Sequence, residues 1–186
     1  MEHRLSAPFS ADELKGLRAG DSVLLSGTVY AARDAAHRRM YELIQRGEPL
    51  PFDPRGKAIY YVGPSPARPG EVTGSAGPTT SGRMDAFAPA LFRLGLLATI
   101  GKGARSAAVK EAMAEAGAVY FVSIGGAAAL TASRIKKAEV VAWPELGTEA
   151  LRRLTVEDMP LTVAIDTQGG DIYELGPAAY LASLKK

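Results

Sequence analysis

Glycine and proline recur so often along this chain, 20 and 12 times in 186 residues, that its apolar segments stay short. A helical bundle needs longer uninterrupted periodic stretches, so the punctuation points instead to alternating strands and helices in a layered α/β domain. Strands are expected at His3–Ala7, Ser22–Tyr30, Ala58–Val62, Leu96–Ile100, Val119–Ile124, Glu139–Trp143 and Pro160–Asp166, where β-branched and aromatic residues concentrate. Between them, a short helix opens at Ser10, with Ser10 as N-cap and Glu13 at N3. A longer one covers Arg33 to Arg46 and stops at Gly47. Others are expected over Arg83–Gly95, with Pro89 near the start or at a kink, over Ser106–Ala116, from Gly125 onward, and over Pro177–Leu184. Thr167–Gly170 with Asp171–Glu174 reads as a hairpin or strand pair. Gly63–Gly82 is too long for a mere connection, and such loops are often functional. The length suits a single domain over residues 1–186 with a core of its own.

The chain has no cysteine, so it forms no disulfide and holds neither a cysteine-ligated zinc nor an iron–sulfur cluster by itself. Its two histidines, His3 and His37, do not make a transition-metal site alone. A formal charge of +2 spread over 186 residues is a weak field without the clustered basic face expected of a nucleic-acid binder. No signal peptide opens the sequence and no run of about 18 apolar residues interrupts it, so a soluble cytoplasmic protein with no membrane span is expected.

Chemistry concentrates in three places. Gly77-Pro-Thr-Thr-Ser-Gly-Arg-Met-Asp85 sets hydroxyls and glycines ahead of an expected helix, where backbone N–H groups attract anions. Arg83 would add a bidentate cation there. The plainer reading is a helix capped by Thr80 or Ser81 with Arg83 in solvent. In Ala31-Ala-Arg-Asp-Ala-Ala-His37 a strand hands over to a helix, a place where ligands gather in layered α/β folds. Alternatively Asp34 and His37 are ordinary first-turn residues and Arg33 pairs with a nearby acid. Ile100-Gly-Lys-Gly103 holds a lysine between glycines without the spacing of a phosphate loop. His3, Trp143 and the Tyr60-Tyr61 pair read as surface or core residues. Arg33, Arg83 and Lys102 around the hydroxyl of Thr79 suit a small polyanion such as a dicarboxylate, yet no catalytic triad or metal cluster accompanies them. The set looks like half of an active site.

At these motifs the sequence resembles the β subunit, or C-terminal domain, of class I iron–sulfur fumarate hydratases and the related L(+)-tartrate dehydratases. Leu25–His37, Tyr61–Pro64, Gly77–Asp85, Gly101–Gly103 and Val119–Ala129 carry the resemblance, with Trp143–Ala150 and Val156–Pro160 in the tail. It implies a swivelling β/β/α-type domain beside an α subunit that bears a 4Fe-4S cluster, with reversible hydration of fumarate to (S)-malate or dehydration of a tartrate. It further implies that Arg33 and Arg83 bind the substrate carboxylates, that Thr79 is the proposed base at C3, and that Lys102 is an active-site lysine. An α2β2 assembly, or a β homodimer in isolation, also follows from it. Glu48–Arg55 and Ser65–Glu71 carry no family signature and read as rigid surface loops. A non-catalytic dicarboxylate-binding module and a phosphate-binding domain are the competing readings. The first has no need of all four polar residues, and the second lacks the phosphate-loop spacing.

Overall fold

The computed structural model describes residues 1–184. Its strands are β1 (Glu2–Ala7), β2 (Ser22–Ala31), β3 (Ala58–Tyr60), β4 (Ala98–Gly101), β5 (Val119–Val122), β6 (Ile135–Ala142) and β7 (Leu151–Ile165). The helices are α1 (Ala11–Lys15), α2 (Asp34–Gln45), α3 (Ala88–Arg93), α4 (Ala107–Ala116), α5 (Ala128–Ser133) and α6 (Ile172–Ser183), with 3-10 turns at Ser81–Met84 and Pro144–Glu149. The seven strands form one mixed sheet in the order β1-β2-β3-β4-β5-β7-β6, and β2 pairs a second time with β7. That second pairing closes β2, β3, β4, β5 and β7 into a barrel-like ring, with β1 and β6 as flaps on its long strands. The strands from β1 through β5 run parallel to their neighbours, whereas β7 is antiparallel to β2, β5 and β6. The fold is mixed α/β, as the punctuation of the sequence predicts.

Strand residues alternate between two cores. Tyr60, Val119 and Phe121 join a cluster with Val23, Leu25 and Val163 inside the ring, which Leu14 of α1 and Leu17 just after it close. Their neighbours Ile59, Tyr61 and Tyr120 face outward, onto Met40 of α2, Phe92 of α3 and Met113 of α4. Burial on both faces explains why β3 and β5 read as unbroken apolar runs and not as alternating ones. The α1 capping box forms as expected: Ser10 Oγ accepts the Glu13 N–H at 3.4 Å, and Glu13 Oε2 accepts the Ser10 N–H at 2.7 Å.

Four expectations are corrected. Arg83–Gly95 is not one helix: a 3-10 turn precedes α3, which has Pro89 in its first turn, where a missing N–H costs nothing. The helix expected from Gly125 begins at Ala128. Thr167–Glu174 forms no hairpin; Asp171 makes only a single bridge to Ile165 and then caps α6, which places Pro177 inside that helix. The last strand is far longer than Pro160–Asp166, because Pro160 does not end it. Proline is tolerated there: β6 pairs with β7 only up to Val156 and β5 only from Thr162, so the stretch between has no strand on that edge. Opposite β2, Ser26 Oγ takes the Asp158 N–H at 3.0 Å where the register shifts. Of the unassigned loops, 48–55 is anchored by Phe52 stacked on Tyr30 at 4.1 Å. Residues 65–75 fold back on themselves through Ser65 N–H to Ser75 O (3.0 Å) and line a groove of about 640 Å³ with α5. Among the described residues no helix is long and apolar enough to cross a membrane.

Candidate active site at the ends of the parallel strands

The parallel strands β2, β3 and β4 end on the same side of the sheet, and the chain leaving each of them carries the polar residues singled out by sequence. Arg33 follows β2 by two residues. Thr79 docks beside the end of β3, its N–H donating to Tyr61 O at 2.7 Å. Lys102 follows β4 directly and bridges Thr80 in parallel. Strand ends of this kind collect ligands because loops there diverge and leave backbone groups unpaired.

Arg33 is the N-cap of α2, and Gly63 lets it lie flat. A Cβ on Gly63 would come within 2.8 Å of the Arg33 Cδ and 3.0 Å of a guanidinium nitrogen. Its Nε reaches Asp34 Oδ2 at 3.3 Å and its outer nitrogen Glu149 Oε1 at 3.3 Å. Glu149, from the second 3-10 turn, also accepts the Ala35 N–H at 2.9 Å. Asp34 uses its other oxygen on Arg83 Nε at 2.8 Å. One carboxylate therefore holds both arginines that the sequence nominated. Partial burial works against ionisation of Asp34, but its own backbone N–H and the two guanidiniums hold its carboxyl below the ordinary value. The pairing of Arg33 with a nearby acid is thus real, and the same acid orients Arg83.

The Thr79–Lys102 side is built differently. Neither Thr80 nor Ser81 caps a helix with its side chain. The turn Ser81–Met84 is a single 3-10 turn, so the dipole of a full helix is not available beside Thr79. Ser81 instead is buried, and its Oγ accepts the Lys102 N–H at 3.1 Å and lies 2.8 Å from Tyr120 Oη. Gly101 is obligatory there: a Cβ would sit 2.0 Å from Ser81 Oγ and 3.0 Å from the Tyr61 ring. Lys102 is exposed, and its ammonium has no ion-pair partner among the described residues. Thr79 is half-buried.

Sequence reasoning missed the support beneath these residues. Arg105 is completely buried at its side chain and pairs with Asp85 Oδ1 at 2.7 Å, while Asp85 Oδ2 takes the Ser106 N–H at the start of α4. Its remaining nitrogens donate to Thr99 Oγ1 (3.1 Å) and Tyr61 Oη (3.3 Å), and the guanidinium lies 5.3 Å from the Tyr61 ring centre and 5.1 Å from that of Tyr120. Asp85, at the end of Gly-Arg-Met-Asp, was the one local signal of this network; an arginine after Lys-Gly-Ala gave none. His37 is also wholly buried, with Nδ1 3.0 Å from Arg33 O. That carbonyl accepts, so Nδ1 carries a proton. Burial pushes its pKa down to about 4, the Arg33 carbonyl working against the shift and the Arg105 charge with it. His37 is therefore core, edge-on to Tyr61 at 5.1 Å between ring centres, and Tyr60 and Tyr61 are core as well.

Pockets of about 300, 580 and 640 Å³ lie elsewhere on the surface, and none takes a wall from Arg33, Thr79, Arg83 or Lys102. These four share an open polar face.

The chain is 42% identical over 164 residues to fumarate hydratase 2 of Leishmania major, an alignment covering 87% of this chain and 29% of that protein. To the anaerobic class I fumarate hydratase of Escherichia coli K12 it is 42% identical over 152 residues, 81% of this chain and 28% of the relative. To the L(+)-tartrate dehydratase subunit beta of the same strain it is 36% identical over 177 residues, 92% of this chain and 87% of that one. The chain thus spans under a third of the length of these two fumarate hydratases. A family model described as Fumarase C-terminus matches residues 2–176, the span that holds every element of the polar face, and the chain belongs to that family.

Proposed function

We propose that this chain supplies the carboxylate-binding and proton-handling half of a hydro-lyase that reversibly hydrates fumarate to (S)-malate. The observation that carries the reading is the pair of guanidiniums organised by Asp34 on the same open face as Lys102, whose ammonium has no ion-pair partner among the described residues. Two carboxylates fit two arginine forks, and Lys102 adds a third positive charge for the dianion. The chain has no cysteine, and among its described residues no group of three or more potential ligands could hold a metal. Its residues do not fit a 4Fe-4S cluster, so in this proposal the cluster belongs to a partner α subunit that closes the open face. The L(+)-tartrate dehydratase relative, a subunit beta, supports such a division.

Within this half, Thr79 is the proposed proton-transfer group at C3. A threonine hydroxyl is a poor base at neutral pH, and its alkoxide needs positive charge nearby. The 3-10 turn offers little, which leaves that role to Arg83 and Lys102. In enzyme reconstituted from this chain and its partner, Thr79→Val should still bind dicarboxylate but lose exchange of the C3 proton; undiminished exchange would remove Thr79 from the role. The chain purified alone should be iron-free and inactive, and activity without a partner would refute the half-site. Dehydration of L(+)-tartrate is the second reading, favoured by the alignment to the tartrate dehydratase relative, which covers 92% of this chain and 87% of that one. Assays of the reconstituted enzyme with both substrates separate the two.

A further inference from the structure

Lys102 presents its ammonium from a bend, Gly101-Lys102-Gly103, whose backbone is gripped on both sides. The Lys102 N–H donates to Ser81 Oγ at 3.1 Å, and the Lys102 carbonyl accepts the Ser81 N–H at 2.9 Å. On the far side, Tyr120 Oη donates to Gly103 O at 2.9 Å, and the Gly103 N–H donates to Tyr173 Oη at 3.0 Å. A phenol has one proton. With that proton committed to the Gly103 carbonyl, Tyr120 accepts from the Ser81 hydroxyl, and Ser81 accepts from Lys102. The three bonds form a directional loop that begins on the Lys102 N–H and ends on the Gly103 carbonyl, one peptide beyond the pair that flanks the lysine side chain. Ser81 and Tyr120 are both completely buried, so solvent offers no substitute partner for either hydroxyl. The ring of Tyr120 is itself held under the buried Arg105 guanidinium.

We propose that Tyr120 is a positioning residue for Lys102: its hydroxyl, through Ser81 and Gly103, fixes where the ammonium meets an anionic substrate. If Tyr120 served only to fill the outer core, phenylalanine would serve as well, and the hydroxyl would have no reason to join two segments of the polar face. The kinetic consequence rests on the hydro-lyase reading above; the positional one does not.

Two variants test it. Tyr120→Phe removes only the hydroxyl, and Ser81→Ala breaks the loop one link earlier in a residue small enough to leave packing intact. In the chain itself, both should speed amide hydrogen exchange at Lys102 by about tenfold or more while leaving the β2–β7 amides unchanged. In reconstituted enzyme, Tyr120→Phe should lower kcat/KM for fumarate about tenfold in the native background and less than about twofold in a Lys102→Met background, since a residue acting through Lys102 has nothing left to act on. An equal loss in both backgrounds, or none in either, would overturn the proposal, as would unchanged exchange at Lys102. Should the reconstituted native enzyme fail to hydrate fumarate while exchange at Lys102 responds as stated, the hydro-lyase reading falls and the positioning role stands.

Discussion

Asp34 and His37, three residues apart on the first turn of α2, show how position decides the behaviour of a titratable side chain. Asp34 stays ionised between two guanidiniums, while His37 stays neutral because its ring is sealed from water, and its second nitrogen has no hydrogen-bond partner among the described residues. This has a consequence for stability. In the unfolded chain His37 would take up a proton near its ordinary value of 6.5, but in the folded one only near 4. The unfolded state therefore binds more protons between those values, and the contribution of a neutral His37 is complete above pH 6.5 and lost as pH falls toward 4, by up to about 3 kcal/mol. Melting temperature should fall across that window, and His37→Gln, which keeps a donor for the Arg33 carbonyl but cannot titrate, should flatten the fall. Asp21, whose pKa is drawn down to about 2 by the terminal ammonium and the Arg18 N–H, is lost in a lower and separate window. Both Asp34 and His37 lie in a motif visible in the sequence. That one carboxylate serves both arginines is not visible there, because Arg83 lies 49 residues further along the chain.

Among the elements, α4 depends on a partner that no local rule supplies. Ser106 stands at its N-cap without a side-chain cap, and the orphan Ser106 N–H is satisfied by Asp85, 21 residues earlier at the end of the first 3-10 turn. The same carboxylate neutralises Arg105, whose side chain has no exposure at all. Asp85→Ala should cost about 3–5 kcal/mol in chemical denaturation, the range expected when one member of a buried pair is removed and the other charge is left behind. Asp85→Asn, which keeps the hydrogen-bond shape, should recover part of it. The helices α1, α2 and α4 and the strands β1 to β5 were legible from capping residues, helical spacing and apolar runs, all of which act within a few residues. The errors fell where that locality fails. A proline in β7 looks like a stop until the neighbouring strands are known to leave that edge open, and Asp171 looks like a strand residue until it is seen to cap α6.

At the scale of the whole molecule, the ring is held by the pairing of β2 with β7, which runs from Ser22 with Thr162 to Ala31 with Arg152. Every other contact in the ring is shorter. Amides in this pair should be the slowest to exchange with solvent, and those of α6, which has no buried residue, among the fastest. Comparable protection of α6 and β2 in a hydrogen-exchange experiment would contradict this ordering. The ring also aligns the ends of β2, β3 and β4, which is what gathers Arg33, Thr79 and Lys102 from separate parts of the chain onto one face.

The division between chain and fold follows the range of the forces involved. Local periodicity, caps and glycine or proline punctuation were enough to say that this is an α/β protein, and the residue types in three short motifs were enough to nominate candidate anion-binding groups. Ring closure, the doubled use of Asp34, the buried Arg105 and the hydroxyl loop beneath Lys102 each join segments tens of residues apart. The buried contacts among them form only when water has been removed from between their partners, and the partly exposed Asp34 pairs need the fold to bring Arg83 to them. No reading of neighbouring residues reports either.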